Sequence, residues 1–211
     1  MAAHIPYRSV LKHFDEEKVS DRYDNCLYTA DTAIGELLED LRARGRLEKT
    51  LLLFFSDHGQ ALGEHLESLH GSSLYDMSVR IPVVLSNPVL FPNRQNLPQR
   101  FQIKDLSTTL LALSGLPEKL RQSENIFARS ADEKIYFSNV FRDFKLGMLR
   151  DDLKFVFRPE RRQVSVYDTK QDPKEDHDLF KTIDPALLAE MKRETLQYYF
   201  AQLNYLQSEF P

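Results

Sequence analysis

At 211 residues the chain is long enough for one well-packed domain and too short for two large ones. Hydrophobic residues at 42% and charged residues at 28% are ordinary for a globular protein, and a net charge of −4 offers no basic face for nucleic acid. The lone Cys26 excludes an internal disulfide framework; no stretch is apolar enough for a membrane span, and Met1 to Pro6 has no signal-peptide pattern.

Pro6 to Phe14 reads as an irregular entry. From Asp15 to about Arg44, Tyr23, Leu27, Ala30, Ile34, Leu37, Leu38 and Leu41 recur at steps of three and four, the spacing of one face of a long amphipathic helix. Gly45 supplies its C-terminal stop, and Gly35 inside the pattern suggests close packing against a neighbour. Cys26 on this helix reads as a small buried residue. Thr50 to Ser56 is a continuously apolar run, expected as a strand buried on both faces, and Ile81 to Ser86 resembles a second one. Asn87 to Arg100, rich in Pro, Asn and Gln, is expected on the surface, and Asp105 to Ser114 reads as a helix ended by Gly115 and Pro117.

After Ala131 the pattern changes. Lys134 to Val140, Phe144 to Arg150, Leu153 to Arg158 and Val164 to Asp168 are short strand-like segments. Asp151-Asp152 and Pro159 to Arg162 are the expected turns, and such close spacing favours antiparallel hairpins. Gln171 to Asp178 is a polar loop, and a final helix runs from Pro185 to about Leu206. The change in character divides the chain into residues 1–130, an α/β part, and residues 131–211, a small antiparallel sheet with a terminal helix.

Chemistry concentrates after the first apolar strand. Asp57 and His58 leave its C-terminal end, where open α/β sheets place ligands, and Gly59 permits the turn that lets both side chains reach one ion. A carboxylate and an imidazole form a mixed donor set suited to zinc or manganese. Taken alone, the pair reads more readily as a polar loop with a hydrogen-bonded histidine than as a metal site. His70, before Gly71, reads equally as a contact to an anion or proton donor to a leaving group and as a surface histidine. Glu64, His65, His13 and His177 read as solvent-facing, and the Arg158 to Arg162 cluster as a solvated hairpin tip.

Several of these segments occur in a recognisable order. Ser56-Asp57-His58-Gly59, Leu62-Gly63-Glu64-His65, His70-Gly71, Leu74-Tyr75-Asp76 and Arg80-Ile81-Pro82 resemble the C-terminal signature of the sulfatase family, within the alkaline-phosphatase superfamily. His4-Ile5-Pro6-Tyr7 resembles a further segment of that family, as do the helix from Asp105 to Gly115, Lys154-Phe155, Val166-Tyr167-Asp168 and Asp172 to Glu175. The resemblance implies a three-layer α/β/α alkaline-phosphatase-like core, present in part, followed by the small antiparallel sheet and helix.

It also implies roles. Asp57 and His58 would be two ligands of a divalent metal ion, and His4 and His70 would bind the oxyanion of a sulfate or phosphate ester or assist its leaving group. An Asp-His pair resembles the phosphonate hydrolases and phosphoethanolamine transferases, which implies manganese or zinc ahead of calcium. The family's nucleophile segment has no counterpart: Cys26 is followed by Leu27-Tyr28-Thr29-Ala30, not by the sulfatase activation pattern. The expectation is the C-terminal part of a metal-dependent sulfatase-like hydrolase or phosphotransferase, inactive without the N-terminal half of the same fold. The alternative is a non-catalytic sulfatase-fold module that binds a lipid or a protein. A sheet surface left uncovered favours homo-oligomers. The resemblance implies a periplasmic or membrane-anchored extracytoplasmic location.

Overall fold

The computed structural model describes residues 11–15, 17–67, 70–117, 122–130, 134–140 and 143–209. They gather into two compact units: Met1–Ser56 with Leu62–Ser68 and Pro82–Gln95, and Asp57–Ala61 with Leu69–Ile81 and Asn96–Pro211. The elements are mixed α and β, as the sequence predicts.

The first unit is built from helix α1 (Val19–Ala43) and a two-stranded antiparallel sheet, β1 (Leu52–Phe55) with β2 (Val83–Ser86). Asp21 accepts the Lys18 N–H at the start of α1, and Gly45 ends it at φ 61°, a left-handed backbone that glycine adopts without a Cβ penalty. Asn25 is the one buried residue of α1. Its Oδ1 accepts the N–H groups of His13 and Phe14 at 2.7 and 2.8 Å, and its Nδ2 donates to the Phe14 carbonyl at 2.9 Å. Asn87 plays the same part beside the sheet. It donates to the carbonyls of Glu48 and Thr50 and accepts from the N–H groups of Val89 and Leu90, fixing the start of the long loop.

Three expectations are corrected here. The predicted inner face of α1 is not buried: Leu27 is 52% and Leu37 49% exposed. Hydrophobic spacing reports that a helix forms, and leaves open what covers its face. Neither strand is buried on both faces, since Phe55 and Val84 are 47% and 53% exposed. A Cβ placed on Gly35 meets nothing within 4 Å, so close packing does not explain that glycine. Cys26 on the same helix is half-buried.

The second unit holds the antiparallel sheet β3 (Ile135–Asn139), β4 (Lys145–Arg150), β5 (Leu153–Arg158) and β6 (Gln163–Asp168), in that order. Both predicted turns form. Asp151 and Arg162 adopt φ of 52° and 51°, and the Arg162 N–H closes its turn on the Pro159 carbonyl at 3.1 Å. Side chains alternate across the sheet. Met148, Phe155, Phe157 and Val166 face one way and form a core with Met191 of helix α4 (Pro185–Glu209). Tyr136 joins that face by stacking on Tyr198 of α4 at 3.9 Å between ring centroids.

The opposite face is covered as well. Lys154 and Val156 of β5 point there, with Lys145 and Gly147 of β4, Phe137 and Asn139 of β3, and Tyr167 of β6 in register beside them. Against them lies the segment 71–76, which leads into the short helix α2 (Asp76–Val79). A Cβ on Gly147 would lie 3.1 Å from Leu74 Cδ1, so the glycine admits that leucine onto the sheet. Helix α3 (Ile103–Leu113) belongs to the same unit. Its buried Asp105 accepts the Gln102 and Glu124 N–H groups and pairs with Arg129.

Candidate functional site

Asp57 follows β1 by two positions, and its side chain is 84% exposed. One carboxylate oxygen, Oδ1, accepts the His58 N–H at 3.0 Å, which folds the carboxylate back over the turn. His58 places Nδ1 2.8 Å from the Gly59 carbonyl. A carbonyl oxygen only accepts, so Nδ1 carries a proton, and in the neutral ring the lone pair is on Nε2. Nε2 in turn lies 3.6 Å from Asp57 Oδ2.

Gly59 has its own reason to be glycine. Its N–H donates to the Ser78 carbonyl at 2.9 Å, and a Cβ here would fall 2.1 Å from the Met77 carbonyl oxygen. The backbone after His58 therefore presses directly on α2. Ser78 is held in turn by Ser73, with the two hydroxyls 3.0 Å apart.

His70 is brought to the same place. Its ring stacks on that of His58 with centroids 4.1 Å apart and planes inclined by 20°. Gly71 follows at φ 77°, a conformation suited to a glycine. Of the four residues singled out in the sequence, Asp57, His58 and His70 thus converge, and His4 lies outside the described residues. Glu64 is exposed and accepts the Leu62 N–H at 2.6 Å, whereas His65 is half-buried with φ 50°. His177 stands in solvent, its backbone N–H bonded to Asp172. His13 is exposed but stacks on Tyr28, with ring centroids 4.8 Å apart.

The donor set suits a divalent ion as far as it goes. Metal–ligand distances near 2.0–2.2 Å for imidazole nitrogen and carboxylate oxygen allow two donors about 3.6 Å apart to share one ion. The Nδ1–H···O=C bond is the second contact that metal-binding histidines ordinarily make. Among the described residues no group of three His, Cys, Asp or Glu side chains converges on a metal position.

Behind this site lie residues that the sequence marks at most as parts of family-like segments, with no role attached. Lys154 is fully buried and pairs with both Asp76 and Glu175, its Nζ 2.8 Å from Glu175 Oε1. Glu175 also accepts the Asp76 N–H at 2.6 Å. Burial pushes the Glu175 carboxyl above the usual carboxylate range, with Lys154 acting in the opposite direction. Lys145 donates to the Ser72 carbonyl, and Asn139 to that of Gly71 at 2.7 Å. The available signal was a lysine inside the otherwise apolar run Leu153 to Phe157, which is costly to bury unless it is paired.

The sulfatase family profile matches residues 4–116. The chain belongs to the sulfatase family. Arylsulfatase K of Rattus norvegicus is 31% identical over 101 residues, which is 48% of this chain and 17% of the relative. The uncharacterised sulfatase YidJ of Escherichia coli is 27% identical over 172 residues, 76% of this chain and 34% of the relative. Among solved structures, the phosphonate monoester hydrolase of Agrobacterium radiobacter superposes with a TM-score of 0.67 at 21% identity, over 87% of this chain and 41% of that one. The likeness in structure places the fold among the alkaline-phosphatase-like sulfatases and hydrolases. This chain spans less than half the length of each.

Proposed function

We propose that the chain is the C-terminal part of a metal-dependent ester hydrolase or phosphotransferase, acting on sulfate or phosphate esters. Residues 1–130 would complete the α/β core, and 131–211 would form its small accompanying subdomain. The observation that carries this reading is the convergence of Asp57, His58 and His70, with Nε2 and Oδ2 3.6 Å apart and the two rings in contact.

Asp57 Oδ2 and His58 Nε2 are the proposed metal donors, for manganese or zinc rather than calcium. A divalent ion held there would supply Lewis-acid polarisation of the ester oxygen. His70, stacked beside it, is placed to hydrogen-bond a non-bridging oxygen of the ester or to hand a proton to the leaving group. His4 is proposed for the same anion. The nucleophile and remaining metal donors are assigned to the N-terminal half of the same fold, so these 211 residues alone are proposed to bind metal weakly and to turn over no ester. By the same family resemblance we place the working protein outside the cytoplasm.

Titrating Mn2+ and Zn2+ into the chain by calorimetry tests the donor assignment. Binding should be weak in the wild type and fall about 10-fold or more in Asp57→Ala and in His58→Ala. Binding indifferent to both changes refutes the site. The purified chain should also leave aryl sulfates and phosphonate monoesters intact, and turnover that Asp57→Ala abolishes would overturn the proposed incompleteness.

A further inference from the structure

His70 is followed by Gly71 at φ 77° and then by a short non-helical run to Asp76. Two consecutive carbonyls of this run are held from the sheet. Asn139, at the end of β3, and Lys145, at the start of β4, are directly paired in register and point to the same face. Asn139 Nδ2 donates to the Gly71 carbonyl at 2.7 Å, and Lys145 Nζ donates to the next carbonyl, that of Ser72.

Lys145 is only 6% exposed, and Asp143 lies 3.3 Å from its ammonium. A buried ammonium is costly unless paired and hydrogen-bonded, and here Asp143 pairs it while the Ser72 carbonyl accepts from it. Two positions further along, Gly147 admits Leu74, and one strand further Lys154 takes Asp76. Gly71, Ser72, Leu74 and Asp76 are thus all met from a single face of one sheet.

We propose that Asn139 and Lys145 are positioning residues for His70: by capturing two consecutive carbonyls they set the imidazole against the His58 ring. The sheet of the small C-terminal subdomain then acts on the site without touching a substrate. This inference rests on the role proposed above for His70, although its geometric content is measurable without metal or ester.

The test is NMR on the metal-free 211-residue chain, comparing wild type, Asn139→Ala/Lys145→Met and Lys145→Arg. The readout is the cross-relaxation between the ring protons of His58 and His70, with amide-exchange protection of Phe155 and Val166 reporting the sheet. In the double variant the inter-ring signal should fall at least threefold while those amides keep their protection, and Lys145→Arg should keep the wild-type signal. Full inter-ring signal in a double variant with a protected sheet overturns the proposal. If the double variant does not fold, Asn139→Ala alone decides, since it leaves the Lys145–Asp143 pair in place; loss of signal supports the clamp and retention refutes it. Failure of Mn2+ binding would leave this result standing, and an undisturbed ring pair in a metal-binding chain would refute the clamp alone.

Discussion

Gly59 shows how much of the site depends on a missing methyl group. Its would-be Cβ meets the Met77 carbonyl at 2.1 Å, and a backbone oxygen cannot rotate away as a side-chain tip can. Gly59→Ala should therefore destabilise the chain by about 1–3 kcal/mol, the usual range for overpacking, and weaken the amide-exchange protection at position 59. Urea denaturation and amide exchange measure the two effects. Glu175 gives a pH signature. Its carboxyl is raised by burial in the folded chain, whereas the unfolded chain titrates near the ordinary ~4.3. Between those values the folded state holds a proton that the unfolded state has lost, so stability falls as pH rises through that window. Glu175→Gln should flatten that decline in a series of denaturation curves. A wild-type profile that rises there instead would mean that Lys154 outweighs burial.

At the scale of elements, α1 and the β1–β2 pair belong to one unit and the four-stranded sheet to the other. A 25-residue helix that buries one residue gains little from its apolar stripe. Leu27→Lys with Leu37→Lys should change stability by no more than about 0.5 kcal/mol each in this chain. The same pair should shift any self-associated population towards monomer in sedimentation velocity, because the change removes exposed apolar area. Most element positions were legible in the sequence. Steps of three and four marked α1, and alternation with Asp and Pro turns marked β3 to β6. What covers a face was not legible: the apolar run of β1 has the composition of a doubly buried strand whether or not both faces are filled. The site was legible in part, because Asp57 and His58 are neighbours in the chain. The contact of His58 with His70 depends on a turn and on carbonyl anchors that no spacing reveals. Asn139 and Lys145 were invisible as anchors, since a polar residue at a strand end looks like any other edge position.

On the scale of the whole molecule, family membership and a partial span together frame the function. The structural likeness to the solved hydrolase takes in 87% of this chain but 41% of that one. The second unit is also assembled from distant stretches of chain. Asp76 is bonded to Glu175, 99 positions later, and Lys154 lies between them in sequence. During synthesis at about 5–20 residues per second, the segment bearing His70 would wait some ~5–20 s before its last anchor is made. Until then the His58–His70 neighbourhood is without the strands that hold it, and chaperone contact at this stage of translation should be longer than for a chain whose contacts are local.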